Sequence, residues 1–204
     1  MIKARHHTFY EVFFDAYIGW KLRAQFHSHH IAGETGDPGG SILMIGNHFS
    51  WWDGFWARRM NQQTYKRRFH IMMLEEQLKT HMFLSRMGAF SIRKNHRDAF
   101  ESLDYAIDLL HDERNLVLLF PQGTFQSLYT FPVSFEKGWF RILKHAPETT
   151  RVVFMANLID YFEHPKPRLT TWLRTIDRSF PDAVSVETAY NEFLADTMKK
   201  QNDL

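Results

Sequence analysis

Cysteine is absent from the chain. That excludes disulfides, thiolate metal ligands and a cysteine nucleophile, and it suits a reducing compartment. Long apolar runs are missing as well: the longest, such as Leu116 to Phe120, fall far short of the roughly 20 residues a helix needs to cross a bilayer. Glu11, Asp15, Lys21 and Arg23 interrupt the N-terminal apolar residues before a cleavable signal could form, so no secretory signal is expected. Charge of one sign does not dominate, since the formal net charge is only +2. There is no Gly-x-Ser-x-Gly elbow for a covalent serine intermediate, and no internal repeat or low-complexity segment. At 204 residues the chain is long enough for one substantial core and short for two, so residues 1–204 are read as a single domain.

What is abundant is aromatic. Phe, Trp and Tyr make up 16% of the chain, with nineteen Phe and six Trp, and so much ring surface suggests contact with something apolar. Positive charge is gathered at Lys66-Arg67-Arg68 and at Arg93-Lys94-Asn95-His96-Arg97. Without a long basic stripe or a recognition motif these clusters suit an anionic surface or ligand, or a solvated face, and no nucleic-acid partner is expected.

From Thr8 to Phe26 two rows recur at helical spacing, Phe9, Phe13, Tyr17, Trp20 and Ala24 beside Tyr10, Phe14 and Ile18. Lys3, Arg5, Lys21 and Arg23 flank them. Rings beside cations suit a helix lying in a membrane interface, and the same spacing suits one packed on a core. Residues 1–25 are therefore read as an N-terminal interfacial helix and 26–204 as the remaining core. Strands are expected at "FHSHHIAG", Ser41 to Ile45, "RRFHIMML", "AFSI", "NLVLLFP", "RVVFMANLI" and "PRLTTWLRTI", the last with alternating character. Helices are expected after Asp53, over "EEQLKTHMFLSRMG", from Arg97 to Leu110, from Phe135 to His145 and from Glu187 to Gln201. Strands and helices take turns, so the fold class is α/β with a mostly parallel or mixed sheet flanked by helices.

The stretch "ILMIGNHFSWWDGFWARRM" ends a strand with Asn47-His48 and sets Asp53 five residues beyond His48. A carboxylate that accepts one ring N–H fixes the tautomer and leaves the other nitrogen to take a proton, which makes His48 a candidate general base. No third ligand at recognisable spacing accompanies the pair, so no metal is expected. Trp51, Trp52, Phe55 and Trp56 bracket it. They could contact an acyl chain or a membrane and exclude water, or simply pack the helix on the sheet.

Two further stretches follow in order, "GAFSIRK" (Gly88 to Lys94) and "FPQGTFQS" (Phe120 to Ser127), and then "SFEKGWFRIL". With "NHFSWWD" they resemble the sequence blocks of the glycerophospholipid, lysophosphatidate-type acyltransferase family, from about Phe26 to Ile176. The resemblance implies a fatty acyl group moved from an acyl thioester to the hydroxyl of a lysophosphatidate-like acceptor, in membrane lipid synthesis. It implies His48 as base and Asp53 as its orienter, with coenzyme A or acyl carrier protein delivering the acyl group and no other cofactor. Arg93, Lys94, Gln122, Gly123, Thr124 and Lys137 fall on segments implied to bind the acceptor. The N-terminal aromatic helix with its flanking Lys and Arg, and the lack of a spanning run, lead to the expectation of a peripheral protein on the cytoplasmic face of the cell membrane. Two positions depart from the pattern: Gln122 stands where the family has Glu, and Phe125 where it has Arg. Losing a guanidinium–phosphate contact removes a charge-assisted interaction of about 1.5–3 kcal/mol. The alternatives are therefore a phosphate-free acceptor, an amino-acid-based or glycosylated lipid, and a catalytically idle lipid-binding relative.

Overall fold

A computed structural model describes residues 1–93 and 99–203. Seven strands form one sheet: β1 (Ser28–Gly33), β2 (Ile42–Gly46), β3 (Arg68–Leu74), β4 (Ala89–Ile92), β5 (Asn115–Leu119), β6 (Arg151–Asp160) and β7 (Arg168–Ile176). Their order is β1-β7-β6-β2-β5-β3-β4. Every neighbouring pair is parallel except β6 and β7, which run antiparallel. The helices are α1 (Thr8–Gln25), α2 (Asp53–Gln63), α3 (Glu75–Thr80), α4 (Ala99–Leu110), α5 (Phe140–His145) and α6 (Ala183–Gln201).

The central strands are apolar throughout because both faces of the sheet are covered. Ile42 and Met44 of β2 pack with Ala57 and Met60 of α2 on one face. Leu43 and Ile45 pack with residues of α4, α5 and α6 on the other. The chain thus leaves β2 on one face and returns from β5 to β6 on the opposite face. Such a reversal opens a crevice at the carboxyl ends of the strands, and the loop after β2 sits there.

The N-terminal helix uses its two aromatic rows differently. Ile18 and Leu22 are buried, and Tyr10 and Phe14 pack against the same cluster, with Phe14 stacked on Phe83 at 4.6 Å. Phe9, Phe13, Tyr17 and Trp20 of the other row are exposed, Trp20 at 59%.

Four elements differ from expectation. The helix expected over Glu75 to Gly88 is two pieces, α3 and a 3-10 turn at Met82–Met87, because His81 leaves helical geometry between them (φ −126°, ψ 52°). The helix expected from Phe135 shrinks to α5. The Phe135 amide donates to the Glu187 carboxylate at 2.5 Å and the Glu136 amide to the Pro121 carbonyl at 2.8 Å, which holds this stretch out of a helical turn. The last helix starts four residues early, where Asp182 caps it by accepting from the Ser185 amide at 2.8 Å. In β7, Leu169 to Leu173 are buried without alternation, since the strand lies between β1 and β6.

A buried histidine, His70, and a half-buried one, His29, are expected to make the fold acid-sensitive. Burial holds His70 down to about 3 and His29 down to about 4, whereas both titrate near 6.5 once unfolded. Between those values the unfolded chain binds more protons, so stability is complete above about pH 6.5 and falls as the pH drops. Urea unfolding at pH 7 and pH 5 should show a loss of about 1 kcal/mol per pH unit for each histidine. Equal midpoints at the two pH values would contradict it.

Candidate active site

The site is built from the ends of β2, β5 and β6. Asn47 ties β2 to β6: its side-chain amide donates to the Asn157 carbonyl at 2.9 Å and its oxygen accepts from the Asn157 amide at 2.8 Å. A Cβ on Gly46 would stand 2.7 Å from Met155 and 3.1 Å from the ring of Phe120. A side chain there would crowd Phe120, which lies over the strand end and stacks on His48, centroids 4.2 Å apart and planes within 3°.

His48 Nδ1 lies 3.0 Å from Asp53 Oδ2. The same oxygen accepts from the amides of Phe49 at 2.8 Å and Ser50 at 2.9 Å. Asp53 is the first residue of α2, where the helix dipole favours a negative charge, and it is fully buried. Burial pushes its carboxyl up from the ordinary value, while the bonds from His48, Ser50 and Phe49 pull it back. Its other oxygen, Oδ1, is buried with no hydrogen-bond partner among the described residues. With the proton on Nδ1 facing Asp53, Nε2 carries a lone pair, and His48 lines the adjoining cavity. The arrangement can take up a proton and hold the resulting imidazolium against a carboxylate.

The loop after β5 closes over this turn. Gln122 Oε1 accepts from the His48 amide at 2.6 Å, and its Nε2 donates to Gln126 Oε1 at 2.7 Å. The Gln126 amide returns to the His48 carbonyl at 2.9 Å. Gln122 is therefore buried and engaged with the backbone of His48. Gly123 turns the loop with φ +66°, and Thr124 and Phe125 follow along the cavity. The Phe125 ring also packs against the imidazole, centroids 4.3 Å apart and planes tilted by 43°. The roles of Gln126 and Phe120 were not read from the sequence.

A cavity of about 450 Å³ opens at His48. Trp51, Phe55, Ile71 and Leu84 line it on the α2 face of the sheet, and Leu103, Leu119 and Trp139 on the α4 face. Gly54 makes room for it, since a Cβ there would stand 2.7 Å from Ile71. The four aromatics expected to act together are divided. Trp51 and Phe55 line the cavity, whereas Trp56 is buried edge-on to Phe26 at 5.5 Å. Trp52 is half-buried, with the Lys21 ammonium 6.0 Å from its ring.

The expected acceptor cations are spread as well. Arg93 lines the cavity and donates to Glu75 Oε1 at 2.7 Å. Arg93 and Lys79 together hold the Glu75 carboxyl down to about 2. Lys137 is exposed, and its neighbours Glu136 and Gly138 line the cavity while Lys137 does not. Lys94 lies outside the described residues.

The family model described as "Acyltransferase" matches residues 25–156, more than half of the chain. Among curated proteins none matches. The crystal structure of PlsC from Thermotoga maritima, a 1-acyl-sn-glycerophosphate (LPA) acyltransferase, has the same fold. The TM-score is 0.64, with 91% of this chain and 77% of that chain covered at 13% sequence identity.

Proposed function

The chain belongs to the acyltransferase family, and on that premise we propose that it moves a fatty acyl group from an acyl thioester to a lipid hydroxyl, with His48 as general base. The observation that carries the proposal is the His48–Asp53 pair at the mouth of a cavity with apolar walls. His48 Nε2 takes the proton of the acceptor hydroxyl as its oxygen attacks the thioester carbonyl. The tetrahedral intermediate then collapses, and the thiolate leaves with the proton returned by His48. Asp53 holds the imidazole in the required tautomer and offsets its charge while protonated. Phe120 and Phe125 pack against the base and Trp51 lines the same cavity, and their apolar surface keeps out water that would hydrolyse the thioester. The resemblance implies a lysophosphatidate-like acceptor, with coenzyme A or acyl carrier protein as carrier. Purified protein incubated with a labelled acyl thioester on each carrier and a panel of lysolipids tests the reading. A new acyl ester must form, and must not form with His48→Ala.

The working site proposed is the cytoplasmic face of a membrane, reached peripherally. No helix among the described residues is long and apolar enough to cross a bilayer, while α1 shows solvent a row of rings with Lys21 beside Tyr17 and Trp20. Phe13→Ser and Trp20→Ser are each expected to weaken sedimentation with anionic vesicles roughly tenfold, since each ring buries only part of its surface in lipid. Thermal unfolding should not change, because both side chains are exposed. Undiminished sedimentation of the double variant would remove α1 from the membrane contact.

A further inference from the structure

The sharpest departure from the family pattern falls on the base itself. Where the resemblance places a guanidinium, the chain places the ring of Phe125, its centroid 4.3 Å from that of His48 and its plane tilted by 43°, while Phe120 stacks on the imidazole at 4.2 Å. Two phenyl rings therefore crowd the imidazole. When His48 takes a proton, the imidazolium lies against aromatic surface, which attracts a cation. An arginine at 125 would instead set a like charge against that imidazolium.

The rest of the cavity agrees. Its described cations are Arg58 and Arg93. Arg58 is held by Asp15 at 2.6 and 2.9 Å, and Arg93 is held by Glu75 at 2.7 Å. A carboxylate, Glu136, also lines the wall. Gln122, in the position where the resemblance expects a charged acceptor contact, is neutral and engaged with the His48 amide. A phosphate dianion beside the reacting hydroxyl would lose water here and find, among the described residues, cations already matched by carboxylates.

We propose that Phe125 sets the acceptor class: the enzyme acylates the hydroxyl of a lipid with no phosphate monoester next to that hydroxyl. The inference rests on the acyl-transfer reading above. Phe125 acts as a specificity-determining and positioning residue, through the imidazole and through the apolar wall it gives the acceptor.

The test measures kcat and KM for a monoacylglycerol, a glycosylated lipid with a free hydroxyl, and lysophosphatidate, with one acyl donor, for wild type and for Phe125→Arg, Phe125→Leu and Phe125→Tyr. Wild type should prefer a phosphate-free acceptor by at least about tenfold in kcat/KM, the scale of one charge-assisted contact. Phe125→Arg should lower KM for lysophosphatidate and lower kcat for the neutral acceptor, shifting the preference by about tenfold or more. Phe125→Leu should keep the preference with reduced kcat, and Phe125→Tyr should restore kcat. A merely structural side chain would lower all rates together and leave the ratio unmoved. Phe125 is 44% exposed on a loop, so folded variants are expected, and the wild-type preference between the neutral acceptors and lysophosphatidate carries the test if the arginine variant misfolds. Preference of wild type for lysophosphatidate, together with a rise in its KM in Lys94→Ala, overturns this inference and leaves acyl transfer standing. If no hydroxyl lipid is acylated, both fall.

Discussion

Replacing His48 with alanine is expected to lower acyl transfer by a factor on the order of 10²–10⁴, the usual contribution of a positioned general base. No other described group is placed to substitute. Asp53 is fully buried behind the imidazole, and Glu136, though it lines the cavity, extends from the loop leading into α5. The fold should survive, because Asp53 Oδ2 keeps the amides of Phe49 and Ser50 at 2.8 and 2.9 Å. The substitution leaves a space beside Phe120 and Phe125 where the imidazole ring stood, so added imidazole should restore part of the rate. Steady-state rates with and without imidazole, beside a melting curve, check all three points. A variant within a few-fold of wild type would remove His48 from the mechanism. Asp53→Asn should also be severe, since the amide no longer stabilises an imidazolium and two backbone donors lose a charged acceptor.

The largest effect on stability is expected at Asp15→Ala. Arg58 is buried on α2 and reaches across to α1, where its Nε and Nη2 donate to the two Asp15 oxygens at 2.6 and 2.9 Å. Its Nη1 donates to the Met87 carbonyl at 3.2 Å. Removing the carboxylate strands a desolvated guanidinium, which costs about 3–5 kcal/mol for a fully buried pair. Asp15 is partly exposed, which places the loss near the lower end, a fall in Tm of about 6–12 °C for a chain of this size. Adding Arg58→Met should recover much of it, because the apolar side chain removes the unmatched charge. A single variant that melts with wild type would show that the pair carries no net stability.

The parts of the site that were legible in the sequence are those whose partners are close along the chain. His48 and Asp53 are five residues apart across a strand-to-helix turn, so residue types and spacing were enough. β2 and β5 were legible because strands covered on both faces must be apolar throughout. The two rows of α1 were visible too, but not which row turns inward: both are aromatic, and the choice is made by Phe83, Trp56 and Arg58 from distant segments. Gln122 reads as an acceptor contact when only its block is considered, yet its amide meets a backbone N–H 74 residues earlier. The missing turns before α5 depend on Glu187, 52 residues later. Such losses share one cause: a local pattern reports what a segment can form, and long-range polar partners decide what it does form.

Arg58 both lines the cavity and grips α1, so the helix and the cavity wall share one side chain. Any ligand that fills the cavity and any surface that receives the rings of α1 then act on a common equilibrium, the seating of that helix. Thermodynamic reciprocity requires that, by whatever factor one changes the affinity for the other, the reverse order gives a change by the same factor. A chain shortened past Gln25 would lose Asp15, the carboxylate that holds Arg58 in the cavity wall, and so would not be equivalent to the whole chain. Separating attachment from turnover calls for changes on the outer row of the helix, at Phe9, Phe13 and Trp20, which leave Asp15 in place.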